Sequence, residues 1–154
     1  MVAGAVYDPT RDEMFLAAHG SGATLNGSRI GVSANSDISQ AMCMASLPIR
    51  AQRTHVAVEQ FLRVLQAAQT VQRSGSAALN LCCVASGRID GFYSMSLCPW
   101  DMAGGVVIVR EAGGRVTRTD GTEFQLAEAN LLATNGTNLH ATLGQVLSEA
   151  GLSD

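Results

Sequence analysis

Apolar residues alternate with polar or small ones over the first thirty residues, then give way to apolar runs separated by helical spacing. Val2–Tyr7 is apolar and β-prone, Asp8-Pro9-Thr10-Arg11-Asp12 carries turn chemistry, and Glu13–Ala18 returns as the second strand of a hairpin. Gly20, Gly22 and the pair Asn26-Gly27 punctuate the next stretch, and Asn-Gly signals a tight β-turn. Arg29–Ser33 reads as a third short strand. A chain that opens directly in a strand reads as cut. Its strands are expected to form a sheet with two exposed edges and an uncovered face.

From residue 41 strands alternate with helices. Ala41–Leu47 reads as a buried strand ended by Pro48. Thr54 is the expected N-cap of a helix reaching about Gln69, with Val58, Phe61, Leu62 and Leu65 on one face. Thr70–Arg73 is a short strand, and Ser74-Gly75-Ser76 opens a helix stopped by Gly87. Ile89–Met95 is a strand, and Pro99 begins a helix ending at Gly113-Gly114. Val116–Thr119 and Leu131–Thr134 are further strands, followed by a helix from about Asn138 to Ala150. The alternation predicts an α/β fold: an antiparallel hairpin region over residues 1–40, then a mainly parallel sheet flanked by helices over 41–154.

The chain has 154 residues, enough for one domain with its own core. Its apolar share of 47% is ordinary, whereas 15% charged is low for a free surface and points to a covered one. A net charge of −3 gives no electrostatic reason to expect nucleic acid or a membrane surface as partner. Cys43, Cys82, Cys83 and Cys98 all lie in apolar runs without CxxC or disulfide spacing, so they read as buried free thiols in a cytoplasmic protein. No basic region or cleavage site precedes Val2, and the apolar stretch 102–109 is too short to span a bilayer.

Two strand-to-helix junctions carry the candidate chemistry. In Arg73-Ser74-Gly75-Ser76-Ala77-Ala78 the glycine permits close backbone approach and Ser76 can cap the helix. The free N–H groups of that first turn suit an anion or a sugar hydroxyl, although a merely capped helix would look the same. In Pro99-Trp100-Asp101-Met102-Ala103-Gly104-Gly105 the carboxylate sits in the first helical turn. There it serves either the helix dipole or a magnesium ion, and one carboxylate does not decide between them. His19, His55 and His140 have no metal-ligand spacing, and no GxSxG elbow or Cys–His pairing marks a nucleophile. Arg73 is either a phosphate contact or a framework residue, and Arg88 and Asp90 read as structural.

The run RSGSAALNLCCVASGRIDGFYSMSLCPWDMAGGVVIVREAGG, Arg73 to Gly114, resembles the C-terminal signature region of the inositol monophosphatase family. GAVYDPTRDEMFLAAHGSGATLNGSRIGVS upstream resembles the family's central hairpin and glycine-rich segment, and TDGTEF and NLLATNGTNLH extend the resemblance over essentially the whole chain. It implies an α-β-α-β-α layered, often dimeric, lithium-sensitive Mg²⁺-dependent phosphatase. It further implies Asp101 as a metal ligand and catalytic residue, Gly75, Ser76 and Ala77 as substrate contacts, and Trp100 as a framework position beside the metal.

Two departures change what the resemblance implies. The family's DPIDGT-like run, its upstream glutamate ligand and its water-activating threonine have no counterpart; Asp8-Pro9 and Asp120-Gly121-Thr122 read as turns. The glutamate that contacts substrate in inositol-specific members falls at Ser94, which weakens the case for inositol. The expectation is therefore the substrate-side, C-terminal half of a phosphomonoesterase for a sugar, polyol or related metabolite phosphate, binding Mg²⁺ weakly and inactive alone. Homo-oligomerisation, or association with an N-terminal half, is expected with it. The alternative is a non-catalytic module that pairs with another chain.

Overall fold

A computed structural model describes residues 1–151. The first sheet is antiparallel, in the order β1 (Ala3–Asp8), β2 (Glu13–Ala18), β3 (Gly22–Leu25), β4 (Ser28–Arg29). The expected third strand over Arg29–Ser33 is displaced. Asn26 and Gly27 take φ 49° and 81°, as a tight primed turn requires, so the hairpin folds Leu25 onto Ser28. Past Arg29 the chain leaves the sheet: the Val32 N–H donates to the Ala112 carbonyl at 3.3 Å and the Ser33 hydroxyl to Asp90 at 2.5 Å.

The second sheet has the order β6 (Thr70–Gln72), β5 (Met42–Ser46), β7 (Gly91–Ser94), β9 (Leu131–Thr134), β8 (Arg115–Thr117). Four strands share one direction and β9 runs against them. β9 differs because no helix intervenes between β8 and β9, so the chain returns antiparallel. Both faces are covered, and successive residues serve different cores. Phe92, Leu131 and Ala133 join the cluster between the two sheets, while Tyr93 and Leu132 join the opposite one.

Helices α2 (Ala77–Ala85) and α3 (Pro99–Glu111) fill the layer between the sheets, and α1 (Val56–Ala67) and α4 (Leu139–Ser148) cover the far face of the second sheet. The layers therefore run β-α-β-α, and no element among the described residues covers the outer face of the first sheet. Val2, Tyr7, Met14 and Leu16 are exposed there or at its rim.

Two expectations for α1 are corrected. His55, not Thr54, is the N-cap, its Nδ1 accepting the Ala57 N–H at 3.1 Å. The inward face is Ala57, Gln60 and Val64, whereas Leu62 and Leu65 are about half exposed. Gln60 sets that rotation, since its Nε2 donates to the Leu147 carbonyl at 3.2 Å and ties α1 to α4.

Three polar ties lock the layers. Glu13 and Arg88 form a bidentate pair, both bonds 2.7 Å, joining β2 to the turn after α2. The buried Asp90 carboxylate accepts from Ser33, Asn35 and the Met42 N–H, stitching the linker to the second sheet. Glu111 closes α3 against the dipole, yet its carboxylate accepts the Gly20 and Gly22 N–H groups at 3.1 and 2.9 Å. Those bonds hold its carboxyl below the usual range and account for an acidic residue at a helix C-terminus.

His140 is buried and fully bonded. Thr117 donates its hydroxyl to the Arg118 carbonyl at 2.8 Å, so its oxygen accepts from Nε2–H at 2.9 Å. Thr134 donates to Nδ1 at 2.8 Å. Burial, and secondarily the Arg115 charge, push this imidazole down to about 4. The unfolded chain thus takes up the proton first, near the ordinary value of about 6.5, and the folded chain only at about 4. Stability should be full above about pH 6.5 and fall by about 3 kcal/mol as pH drops to about 4. Urea unfolding of wild type and His140→Gln across that window checks this: the variant should start less stable and show a flatter slope. Equal slopes would remove His140 as the cause.

Candidate active site

The second sheet contains a topological switch point. From β5 the chain crosses by α1 to β6 on one side, then by α2 to β7 on the other. Open α/β sheets bind ligands outside the carboxyl ends of strands at such a point. Ser46 ends β5, Ser94 ends β7, and Arg73 follows β6. A cleft of about 180 Å³ lies there, lined by Ser46, Leu47, Arg73, Gly75, Ala77, Ser96, Leu97 and Asp101. The opening turns of α2 and α3 both reach it.

Each side chain has a local reason for its place. Gly75 has φ +95°, which an L side chain resists, and open space where a Cβ would stand, so the turn into α2 leaves the backbone bare toward solvent. Ser76 is the N-cap, its hydroxyl accepting the Leu79 N–H at 3.4 Å. Pro99 opens α3 at the position where a missing N–H costs nothing, and Asp101 sits two residues on. Its Oδ2 accepts the Cys98 N–H at 2.9 Å, which fixes the carboxylate at the cleft edge.

Of the residues singled out from sequence, Gly75, Ala77 and Asp101 meet in this cleft. The Ser76 side chain turns to the helix cap and lines a neighbouring cleft of about 320 Å³ with Ser74, Asn80 and Asp8. Ser94 is 1% exposed and lies beneath the wall. Its hydroxyl donates to the Ser46 carbonyl at 3.2 Å and accepts the Ser96 N–H at 3.2 Å. Trp100 is 80% exposed, so in this chain it packs no framework. Asp8 and Asp120 are turn residues: Asp8 accepts the Thr10 N–H and Asp120 the Thr122 N–H and hydroxyl. Sequence reasoning missed Ser46 and Ser96, and left Arg73 undecided.

The thiols take no part in the cleft's surface. Burial pushes Cys43 and Cys82 up to about 12, which leaves them un-ionised at neutral pH. All four cysteines are free.

Magnesium is usually held by carboxylate oxygens together with water and substrate phosphate. Among the described residues Asp101 is the single carboxylate on this cleft, and the other side-chain oxygens are the Ser46 and Ser96 hydroxyls. Among the described residues no group of three or more His, Cys, Asp or Glu side chains is placed to hold a metal ion. These residues do not compose a magnesium site by themselves.

The model of the inositol monophosphatase family matches residues 1–152. The chain belongs to that family. It is 41% identical over 146 residues to the inositol-1-monophosphatase of Synechocystis sp., covering 94% of this chain and 50% of that protein. To the protein of Vibrio cholerae named Nus factor SuhB it is 38% identical over 145 residues, covering 92% of this chain and 53% of that one. The solved inositol monophosphatase of Anabaena (Nostoc) superposes with a TM-score of 0.90 at 38% identity, over 96% of this chain and 59% of that structure. The chain thus spans about half the length of the curated relatives it matches. Its four layers match part of the layered sugar-phosphatase fold that this inositol monophosphatase family member shares with its solved relatives. Among the described residues no helix is long and apolar enough to cross a membrane.

Proposed function

We propose that this chain forms the substrate-side, C-terminal half of a Mg²⁺-dependent phosphomonoesterase acting on a sugar, polyol or related metabolite phosphate. The observation that carries the reading is the meeting of the α2 and α3 opening turns, with Asp101, outside the carboxyl ends of β5, β6 and β7. Asp101 contributes one oxygen toward the metal, and Gly75 and Ala77 form the substrate wall, with Ser76 holding the turn that carries them. The remaining carboxylates come from residues outside this chain, so the chain alone is inactive. Residues 1–40 and 41–154 form two parts of this unit: the strands of the first sheet, and the subdomain that carries the cleft. Free thiols fit a reducing compartment, and the cytoplasm is the proposed location.

Calorimetric titration of Mg²⁺ into the chain should give no saturable heat in the micromolar range. Saturable binding by the chain alone would mean that it holds ligands besides Asp101. Joined to a polypeptide carrying a DPIDGT-type run, it should release phosphate from a polyol phosphate. Asp101→Asn should then lower turnover by roughly 100-fold or more at fixed Mg²⁺. An unchanged rate would remove Asp101 from the mechanism.

A second reading, a non-catalytic module that pairs with another chain, is favoured by the open apolar face of the first sheet. Relatives at 37–41% identity named Nus factor SuhB keep it in view. Stable association in the same mixture without phosphate release would decide for it.

A further inference from the structure

The chain holds two Asn-Gly pairs, Asn26-Gly27 and Asn135-Gly136. We propose that Asn26 is a site of spontaneous self-modification, converting to aspartate and isoaspartate through a cyclic imide, and that the fold protects Asn135 from the same reaction. In the first step the Gly27 backbone nitrogen gives up its proton to solvent hydroxide and bonds to the Asn26 side-chain carbonyl carbon. The bond from that carbon to Nδ2 breaks, and the nitrogen takes a proton from water and leaves as ammonia. Water then opens the imide at either carbonyl. Opening at the side-chain carbonyl gives aspartate; opening at the main-chain carbonyl gives isoaspartate, whose backbone runs through the former side chain. Nothing is oxidised or reduced. Glycine suits the step because no side chain shields its nitrogen.

The two pairs have opposite surroundings. Gly27 is exposed, its N–H meets no hydrogen-bond partner among the described residues, and nothing lies within 4 Å of where its Cβ would stand. The Gly136 N–H instead donates to the Thr134 hydroxyl at 3.2 Å, and a Cβ there would meet the Gly113 carbonyl oxygen at 3.1 Å. Asn135 is 3% exposed. Its Nδ2 donates to the Ser33 hydroxyl and the Asn35 carbonyl, and its Oδ1 accepts the Thr137 N–H and hydroxyl. Freeing it means parting the linker from the second sheet. The Asn26 carboxamide is tethered too: Oδ1 accepts the Met14 N–H at 2.7 Å and Nδ2 donates to the Asp12 carbonyl at 2.9 Å. That tether is local. It opens with the hairpin of β3 and β4, whose second strand is two exposed residues, so the reactive state costs little to reach. Either product replaces the Nδ2 donor by a carboxylate facing the Asp12 carbonyl, and isoaspartate also lengthens the turn backbone, so the modified hairpin stays loose.

The test is storage of the folded chain at mildly alkaline pH, followed by peptide mass mapping that locates the mass gain of an amide turned acid and separates isoaspartate from aspartate. Asn26 should convert at least about tenfold faster than Asn135 in the folded chain. In urea, where both are plain Asn-Gly pairs, the two rates should come within about twofold of each other. Equal rates in the folded chain, or a ratio that persists in urea, would overturn the assignment, because the fold would then not be choosing between them. Hydrogen exchange of the isoaspartate-bearing chain should quicken at the Met14 and Ile30 amides, which the Asn26 Oδ1 and the Ala23 carbonyl hold in the intact hairpin. Unchanged exchange at both amides would overturn the loosening.

Discussion

Gly4→Ala should destabilise the fold by about 3 kcal/mol or more and lower its melting temperature by roughly 10 °C. Gly4 in β1 faces α3, where a Cβ would stand 2.3 Å from the Gly104 carbonyl oxygen. That neighbour is helix backbone, which cannot swing aside, so the first sheet would have to back away from α3. The twin glycines of α3 divide the work. Gly104 lets β1 approach, its own Cβ position lying 3.2 Å from the Ala5 carbonyl oxygen; Gly105 admits Leu81 of α2, whose side chain lies 2.6 Å from the position of an added Cβ. Against a total margin of about 5–15 kcal/mol the loss is large. Gly144→Ala in α4 is the matched control. Its Cβ would meet only Leu132 at 3.7 Å, an ordinary contact, and alanine favours the helix by up to about 1 kcal/mol. Thermal unfolding of both variants checks the pair, and a Gly4→Ala chain as stable as wild type would mean that the sheet is not held against α3 by this contact.

The chain should also associate with itself in a concentration-dependent way through its first sheet. Along β1 and β2 exposure alternates: Val6, Phe15 and Ala17 turn inward, whereas Ala3, Ala5, Tyr7, Met14 and Leu16 face outward. The layered fold would seat helices on that outward face, and no element among the described residues covers it. β1 is also an edge strand whose one charged residue, Asp8, lies at its end. It carries no proline and no lysine to repel a second strand. Burial of apolar area contributes about 25 cal/mol per Å², so even a few hundred Å² rivals the stability of a small domain. Sedimentation should show dimers or larger species at micromolar concentration, and Leu16→Lys should shift the chain toward monomer. Hydrogen exchange should be fast along β1 when the chain is dilute. A monodisperse monomer with residues 2–18 strongly protected would sink the idea.

The low charged share fits this geometry, because the outward residues of β1 and β2 occupy surface that charged side chains would otherwise hold. What composition left open was which surface that is, since only strand pairing sorts Tyr7 and Leu16 from Phe15 and Val6. The candidate site was legible to a similar depth. Gly75 and Pro99 mark helix openings by their own backbone chemistry, and Asp101 by its place in the first turn. Arg73 stayed undecided because an arginine beside a turn has no local preference between solvent and ligand. Ser94 was placed against substrate by resemblance, whereas the structure commits its hydroxyl to the Ser46 carbonyl under the wall.

By itself the sequence determined what depends on neighbours along the chain. The hairpin strand Glu13–Ala18, the Asn26-Gly27 turn, the helix starts at Ser76 and Pro99, and β9 at Leu131–Thr134 all follow from local φ preferences, caps and alternation. Only the tertiary structure decided the rotation of α1, where Gln60 finds the Leu147 carbonyl and leaves Leu62 and Leu65 exposed. It also decided the insertion of β9 between β7 and β8, and the bonds from Glu111 to a turn some ninety residues earlier. Ser46, Arg73 and Ser96 share a wall because three parallel strands end side by side. A periodicity reports which side of an element is apolar, but the partner that side meets is set by distant residues competing for the same face.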